Sequence, residues 1–492
     1  MQNANSMKRI PPGRLILFLC AIALLATGAI ALLAFEGVPH LEDEVAYLFQ
    51  ARTMARGRLT VDSPPIPDAF WTPFVLDHEG QRFGKYPPGW PAVLALGVLG
   101  GAPWLVNPLL AALALALVYC LGKSLYDERV GLLAAGLGLV SPLYLVLSGS
   151  FLSHLASLVW LLLFALWFLW TAQGRSRWYA VGAGLAAGMA FLTRSLTAVA
   201  FVAPFAAYGL GQVIRRRQPH WPNYLWIALA GLGLAALLPL YQWAVTGDPW
   251  LNPYLLWWPY DKIGFGEGIG AMPGGHSPFY AWVNLKQDLS RAATDLLGWP
   301  GLSWLPLVAG LALAPRRARD WALLAPFGCL VVAYLFYWIG SPARLWGPRY
   351  YFEGFPGLWL LASVGLWKVW DWAAARAPKA RPALAGALAL MMVVALAANL
   401  PGRLDEAHGF YGISRDQWAP IREADLHHAL VIVYAERWLE YGALLGEMSP
   451  TLDDDVIFAR GSGPQVDAAV MAHYPDREVY YLTRGQLSRQ AP

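Results

Sequence analysis

Charge is what this chain has little of. Only 14% of its 492 residues are Asp, Glu, Lys or Arg, and 57% are hydrophobic; soluble domains carry about 25% charged residues. That shortage excludes an ordinary soluble globular protein and identifies an integral membrane protein. Cysteine is scarcer still. Cys20, Cys120 and Cys329 all fall in apolar segments far apart in the chain, which excludes a disulfide framework and a zinc-cluster spacing and leaves small core residues. No nucleic-acid-binding signature is present. The net charge of +4 says less than where the charges fall.

What is abundant is the apolar run. About eleven candidate spans occupy residues 15–35, 103–121, 130–148, 154–172, 179–193, 196–214, 223–243, 299–315, 320–340, 349–370 and 382–400. The apolar piece 91–100 is too short to span, so an interfacial or re-entrant course is expected. Lys8, Arg9 and Arg14, then Lys123 with Arg129, Arg175 with Arg177, Arg215 to Arg217, Arg316, Arg317 and Arg319, and Lys368 through Arg381 fall on one side of this alternation. By the positive-inside rule that side is cytoplasmic, with the N-terminus inside and the C-terminal tail outside. Ala29-Ile30-Ala31 resembles a signal cleavage site, but the apolar stretch of about 20 residues exceeds the roughly 7–15 of a signal core, so a retained span is expected. The 25 Trp residues fit interfacial belts.

Three larger pieces then lie outside: residues 36–102, residues 244–298 and the tail 401–492. The tail reads as a small α/β unit. Ala429–Tyr434, Val456–Phe458 and Val479–Tyr481 have strand patterns, and Glu436–Gly446 has helical spacing. The expected architecture is a polytopic α-helical membrane domain over 1–400 followed by an extracytoplasmic α/β domain over 401–492.

Charges beside membrane spans are functional candidates because they are costly there. Glu42-Asp43-Glu44 follows the first span, in a loop that also carries Arg52, Arg56, Arg58, Arg82 and Lys85. Such acids can deprotonate one substrate while the cations hold the phosphate of another. They also suit the N-terminus of a helix expected from Val45 to about Arg58, as caps. Val45, Leu48, Phe49 and Met54 give that helix an apolar face for the interface. Lys85 suits phosphate contact and snorkelling equally. Arg194, Arg344, Arg349 and His154 fall at the outer ends of spans, and Asp261 and His276 in the second outer piece. Arg349 is suited to bidentate phosphate binding, or to an ion pair with Glu353 one helical turn later. For His154 the plain alternative is an interfacial histidine, and for His276 it is loop structure. The glycine-rich run Asp261–Gly270 has no strand–helix context for a dinucleotide and reads as a flap. The unusual charges gather on the outer face, which favours one outward-facing site over a midplane transport path.

At these residues the chain resembles the GT-C superfamily of integral membrane glycosyltransferases, in particular protein O-mannosyltransferases and lipid A aminoarabinose transferases. The resemblance rests on Asp43-Glu44 after the first span, Lys85 before Pro87-Pro88, Arg349-Tyr350-Tyr351 opening a late span, and the Gly274-Gly275-His276 loop with a terminal α/β tail. It implies a polyprenyl-phosphate sugar as donor, outer-face transfer to a lipid, glycan or protein hydroxyl with inversion, and residence in the bacterial inner membrane. It implies that Asp43 is the general base, with Glu44 beside it. It implies that Lys85 approaches the donor phosphate; Arg349, Arg194 and Arg344 are further candidates for that phosphate by charge and position. The chain departs from the pattern twice. Gly84 stands where some relatives place an acidic metal ligand, so a bound divalent metal is not carried over from the resemblance, and the cofactor is left open. Tyr86 is inserted between Lys85 and the prolines. The competing readings are a transporter or flippase of a lipid-linked saccharide, and a non-catalytic envelope-assembly protein.

Overall fold

The computed structural model describes residues 11–216, 218–313, 317–341 and 344–491. Lys8, Arg9, Arg217 and Arg316, used for the orientation rule, lie outside the described residues. The body is a bundle of apolar helices. Among the described residues seven helices are long and apolar enough to cross a membrane, and eight if one bent pair counts as a single span. Every expected span contains a helix, but they differ in length. Pro12–Ala34, Pro103–Leu125, His154–Ala172, Ser195–Arg215 and Pro222–Thr246 are full-length. The 130–148 span is instead Glu128–Leu139 and Pro142–Gly149, bent by 65°. Pro142 cannot continue the upstream helix and restricts the residue before it; Ser141 caps the second half through Tyr144 N–H. In the 299–315 region the described residues place a helix over Leu305–Leu313. Residues 91–100 form the short helix Gly89–Leu99.

The helix after the first span runs Glu42–Ala55. Its apolar residues do not face lipid as expected. Val45 packs into the tail's core with Leu444 and Phe458, and Leu48 is 3% exposed. Three short antiparallel strands follow, Val61–Asp62, Val75–His78 and Gln81–Gly84, with the last in the centre. The Val75–Gly84 hairpin turns at Glu79-Gly80, both with positive φ (50° and 78°), the backbone a two-residue hairpin turn requires. Gln81–Gly84 delivers Lys85 and Tyr86 to the end of the bundle.

The tail contains a four-stranded sheet in the order 456–460, 429–434, 478–483, 486–488, parallel except for the last strand. Helix Pro464–His473 connects two of its strands. The helix preceding the tail continues past residue 400 to Ala407. The tail is fastened to the first loop. Arg52 donates to the Met448 carbonyl at 3.0 Å, and Arg56 to Ser449 Oγ at 2.9 Å. Two cations of the first loop are thereby used in anchoring the tail, and a third, Arg82, braces the loop internally by donating to the Phe70 carbonyl and to Thr72 Oγ1. The Trp residues are not all in belts: Trp90, Trp346 and Trp359 are wholly buried. Two of them satisfy their N–H inside the core, Trp90 on Phe151 O and Trp359 on Leu296 O, as buried indoles require.

Candidate active site

A cavity of about 940 Å³ opens where the first loop, the 250–263 segment, several helix ends and the tail meet. Of the residues singled out in the sequence, Asp43, Lys85, His154, Arg194, Asp261 and Arg349 line it. Glu44, Arg344, His276 and Glu353 do not.

The acidic triplet divides by helical phase. Successive residues project about 100° apart, so neighbours in the first turn face different surroundings. Glu42 and Asp43 face the cavity. Glu44 is 1% exposed. It accepts from His40 N–H at 2.7 Å and Leu41 N–H at 3.2 Å with one oxygen, and from Phe151 N–H at 2.8 Å with the other. It therefore caps its own helix and ties it to the 150–153 connection. Burial raises its carboxyl to about 7, against the pull of the His40 and Phe151 N–H donors. Glu44→Ala would orphan three buried N–H groups, each worth about 1–3 kcal/mol. We expect it to lower the melting temperature of the purified protein sharply, an effect that Asp43→Asn should not share.

Asp43 accepts a hydrogen bond from Tyr86 O–H. The inserted tyrosine is thus its partner, and it is held in turn by Tyr47 at a ring separation of 4.4 Å. Glu42 is pushed above the usual carboxylate range by burial; Asp43 adds to the rise, while the Trp438 indole and Arg349 oppose it.

Lys85 is 3% exposed, and its ammonium is surrounded by aromatic rings. Nζ lies 3.4 Å from the centroid of Phe74, 4.4 Å from Trp258, 5.1 Å from Tyr254 and 5.3 Å from Tyr86, a cation–π cradle. Burial lowers its pKa to about 8, with Asp43, Asp261 and Glu42 partly restoring it. Among the described residues neither Lys85 nor Arg349 has a carboxylate within 4.0 Å. Arg349 is 8% exposed, and among the described residues its one side-chain hydrogen-bond partner is the Tyr350 hydroxyl oxygen, to which Nη2 donates at 3.5 Å. Both cations thus line the cavity without a direct ion pair, with Asp43 as the acid that acts on each from a distance, and burying a charge without a contacting counter-charge is costly.

Arg194 differs. Its Nε is 3.2 Å from Glu353 Oε1, and Nη2 donates to Tyr334 O–H at 3.2 Å. His154 Nδ1 is 3.6 Å from the same Glu353 oxygen. Glu353 is 1% exposed and sits behind the cavity, pairing with Arg194 at its wall, with His154 beside it and not hydrogen-bonded to it. The expected Arg349–Glu353 pair does not form. Residues 349–354 are a 3₁₀ turn, in which residues three apart eclipse, so the one-turn spacing of an α-helix does not apply.

Asp261 accepts from the Trp338 indole at 2.9 Å, and its second oxygen has no partner. His276 is used inside the flap. It bonds Leu335 O at 3.0 Å and stacks on Phe265, and its main chain pairs with Gly266. Arg344 is exposed and away from the cavity. A Cβ on Gly84 would lie 2.6 Å from the Gln50 side chain, so an acidic ligand at that position is absent and would displace Gln50.

Sequence reasoning missed Tyr86 as the partner of Asp43, and Phe74 and Tyr254 as walls for Lys85. It also missed Tyr411 and Trp438, which the tail adds to the lining. The inserted Tyr86 was visible in the sequence; its contact depends on the packing of two elements distant in the chain.

A family model described as dolichyl-phosphate-mannose-protein mannosyltransferase matches residues 92–243. That segment includes His154 and Arg194 but not Asp43, Lys85 or Arg349. No curated protein matches the chain. Among solved structures, ArnT from Cupriavidus metallidurans bound to undecaprenyl phosphate is similar with a TM-score of 0.57 and 14% identity, over 93% of this chain and 88% of that one. The apo form of the same enzyme gives 0.51 and 15%, over 94% and 88%. The oligosaccharyltransferase of Archaeoglobus fulgidus in the apo form gives 0.54 and 14%, over 88% of this chain and 64% of that one. At these identities the likeness is one of fold. The protein has the fold of these membrane glycosyltransferases, the GT-C fold that its resemblance to O-mannosyltransferases and lipid A aminoarabinose transferases implies.

Proposed function

We propose that the protein is an inverting glycosyltransferase that moves a sugar from a polyprenyl-phosphate donor to an acceptor hydroxyl, on the extracytoplasmic face of the membrane. One observation carries this reading: a carboxylate oriented by a phenol shares a cavity with two buried cations that, among the described residues, have no carboxylate within 4.0 Å. Asp43 is the base and Tyr86 its positioning residue. Lys85 and Arg349 bind the phosphate. Arg194, neutralised by Glu353, shapes the wall beside them. The fold supports the donor class, since ArnT of the same fold binds undecaprenyl phosphate.

The chemistry follows from the residues. The acceptor oxygen attacks the anomeric carbon while its proton passes to Asp43. The bond from that carbon to the phosphate oxygen breaks, and its electron pair leaves with the phosphate. Lys85 and Arg349, both buried and already in place, stabilise the charge that develops there. The isoprenoid tail lies among the apolar helices, so only the head group need enter. Trp257 and Trp258, which line the cavity, offer faces for the sugar.

The test is turnover by purified protein in lipid, with a panel of polyprenyl-phosphate sugars and an envelope extract as acceptor source. Wild type is expected to release polyprenyl phosphate from at least one donor and to transfer the sugar. Folded protein that turns over none of them would contradict the reading.

A further inference from the structure

Beside the main cavity lies a smaller hollow of about 300 Å³, between the first loop and the tail. Its walls include Trp71 from the loop and Glu436, Arg437, Trp438, Tyr441 and Arg460 from the tail. Trp71 and Trp438 also line the main cavity, so the two spaces share a wall of indoles. Trp438 acts on the carboxyl of Glu42, the residue next to Asp43. The size is at the lower end of small-molecule pockets, about 300–1,000 Å³.

The charges of this hollow are unbalanced. Among the described residues neither Arg437 nor Arg460 has a carboxylate within 4.0 Å. Arg437 is exposed and Arg460 half-buried. The one acid in the lining, Glu436, is exposed. A guanidinium presents a planar fork that fits carboxylate or phosphate, and indole faces offer large, flat apolar area beside it.

We propose that this hollow is an acceptor subsite for an acidic saccharide. The apolar face of a sugar ring lies on Trp438 and Trp71, and its carboxylate or phosphate meets Arg437 and Arg460. The neighbouring sugar then passes the shared wall and presents a hydroxyl towards Asp43. The term acceptor rests on the glycosyltransferase reading; the binding of an acidic saccharide does not.

The experiment is calorimetric titration of the full chain in lipid nanodiscs, without donor. The probes are a tetrasaccharide containing glucuronic acid, its carboxyl-reduced neutral counterpart, and a phosphorylated tetrasaccharide of the same length. The wild type is expected to bind an acidic probe about tenfold or more tightly than the neutral one, one charge-assisted contact's worth. Comparing the carboxylate and phosphate probes identifies the anion. R437Q/R460Q is expected to erase the preference while the neutral probe binds as before, which also reports that the variant is folded. W438A is expected to weaken all three probes. If the double variant fails to fold, R437Q alone, at an exposed position, is expected to reduce the preference. Equal binding of acidic and neutral probes, binding of neither, or a preference that survives R437Q/R460Q would overturn the proposal. Because no turnover is read, a failed transfer assay leaves this result standing, and the reverse holds.

Discussion

Asp43→Asn is expected to lower kcat by about 10²–10⁴-fold, the usual contribution of a positioned general base, with the donor KM unchanged. The substitution keeps the size of the side chain and can still accept from Tyr86 O–H, so the cavity wall should hold. It removes the group that takes the acceptor proton. Tyr86→Phe removes only the hydrogen bond that orients the carboxylate. It should lower kcat less than Asp43→Asn and leave the melting temperature near that of wild type. Steady-state kinetics on the two variants, with melting curves alongside, separate a base from a structural acid. Full activity in folded Asp43→Asn would remove Asp43 from the chemistry.

Lys85→Met and Arg349→Met are each expected to raise the donor KM by roughly 10–100-fold. A hydrogen bond to a charged group is worth about 1.5–3 kcal/mol, and neither cation has another carboxylate to release when the donor arrives. The double variant should bind donor more weakly than either single one. The pH dependence identifies the lysine. Burial brings Lys85 down to about 8, so its ammonium is present below that pH and is lost as pH rises through it. The kcat/KM for donor reports the free enzyme and should fall on the alkaline side of about 8. Lys85→Arg keeps its charge to far higher pH and should move that limb upwards. A limb that stays in place in Lys85→Arg would assign it to another group.

The apolar runs made the helical body legible, because a helix that crosses lipid must satisfy its backbone internally and carry about 20 apolar residues. Residues 130–148 hold the expected apolar helix, but the 65° bend at Pro142 is set by a backbone that proline cannot continue and not by the apolar run. The strands of the tail were legible from 429–434, 456–458 and 479–481, where apolar β-formers run together. In the hairpin at 75–84 the only local sign is Gly80 after Glu79, and its strands are short. The site was legible in kind rather than in detail. Asp43, Lys85, Arg194 and Arg349 were each identifiable as charges where charge is costly. Which member of the triplet faces the cavity depends on helix phase against a tertiary wall. The pairing of Glu353 with Arg194 instead of Arg349 depends on a 3₁₀ turn that its residue spacing does not reveal. Arg52 and Arg56 looked like ligands until the tail, to which they bond, was in place.

The reading turns on where a lipid phosphate binds. The most direct measurement is an experimental structure of the protein in nanodiscs with polyprenyl phosphate. The phosphate is expected in the main cavity, with oxygens about 3 Å from Lys85 Nζ and the Arg349 guanidinium, and with the lipid chain leading out between apolar helices. A phosphate bound away from both cations, with the cavity beside Asp43 unused, would contradict the account.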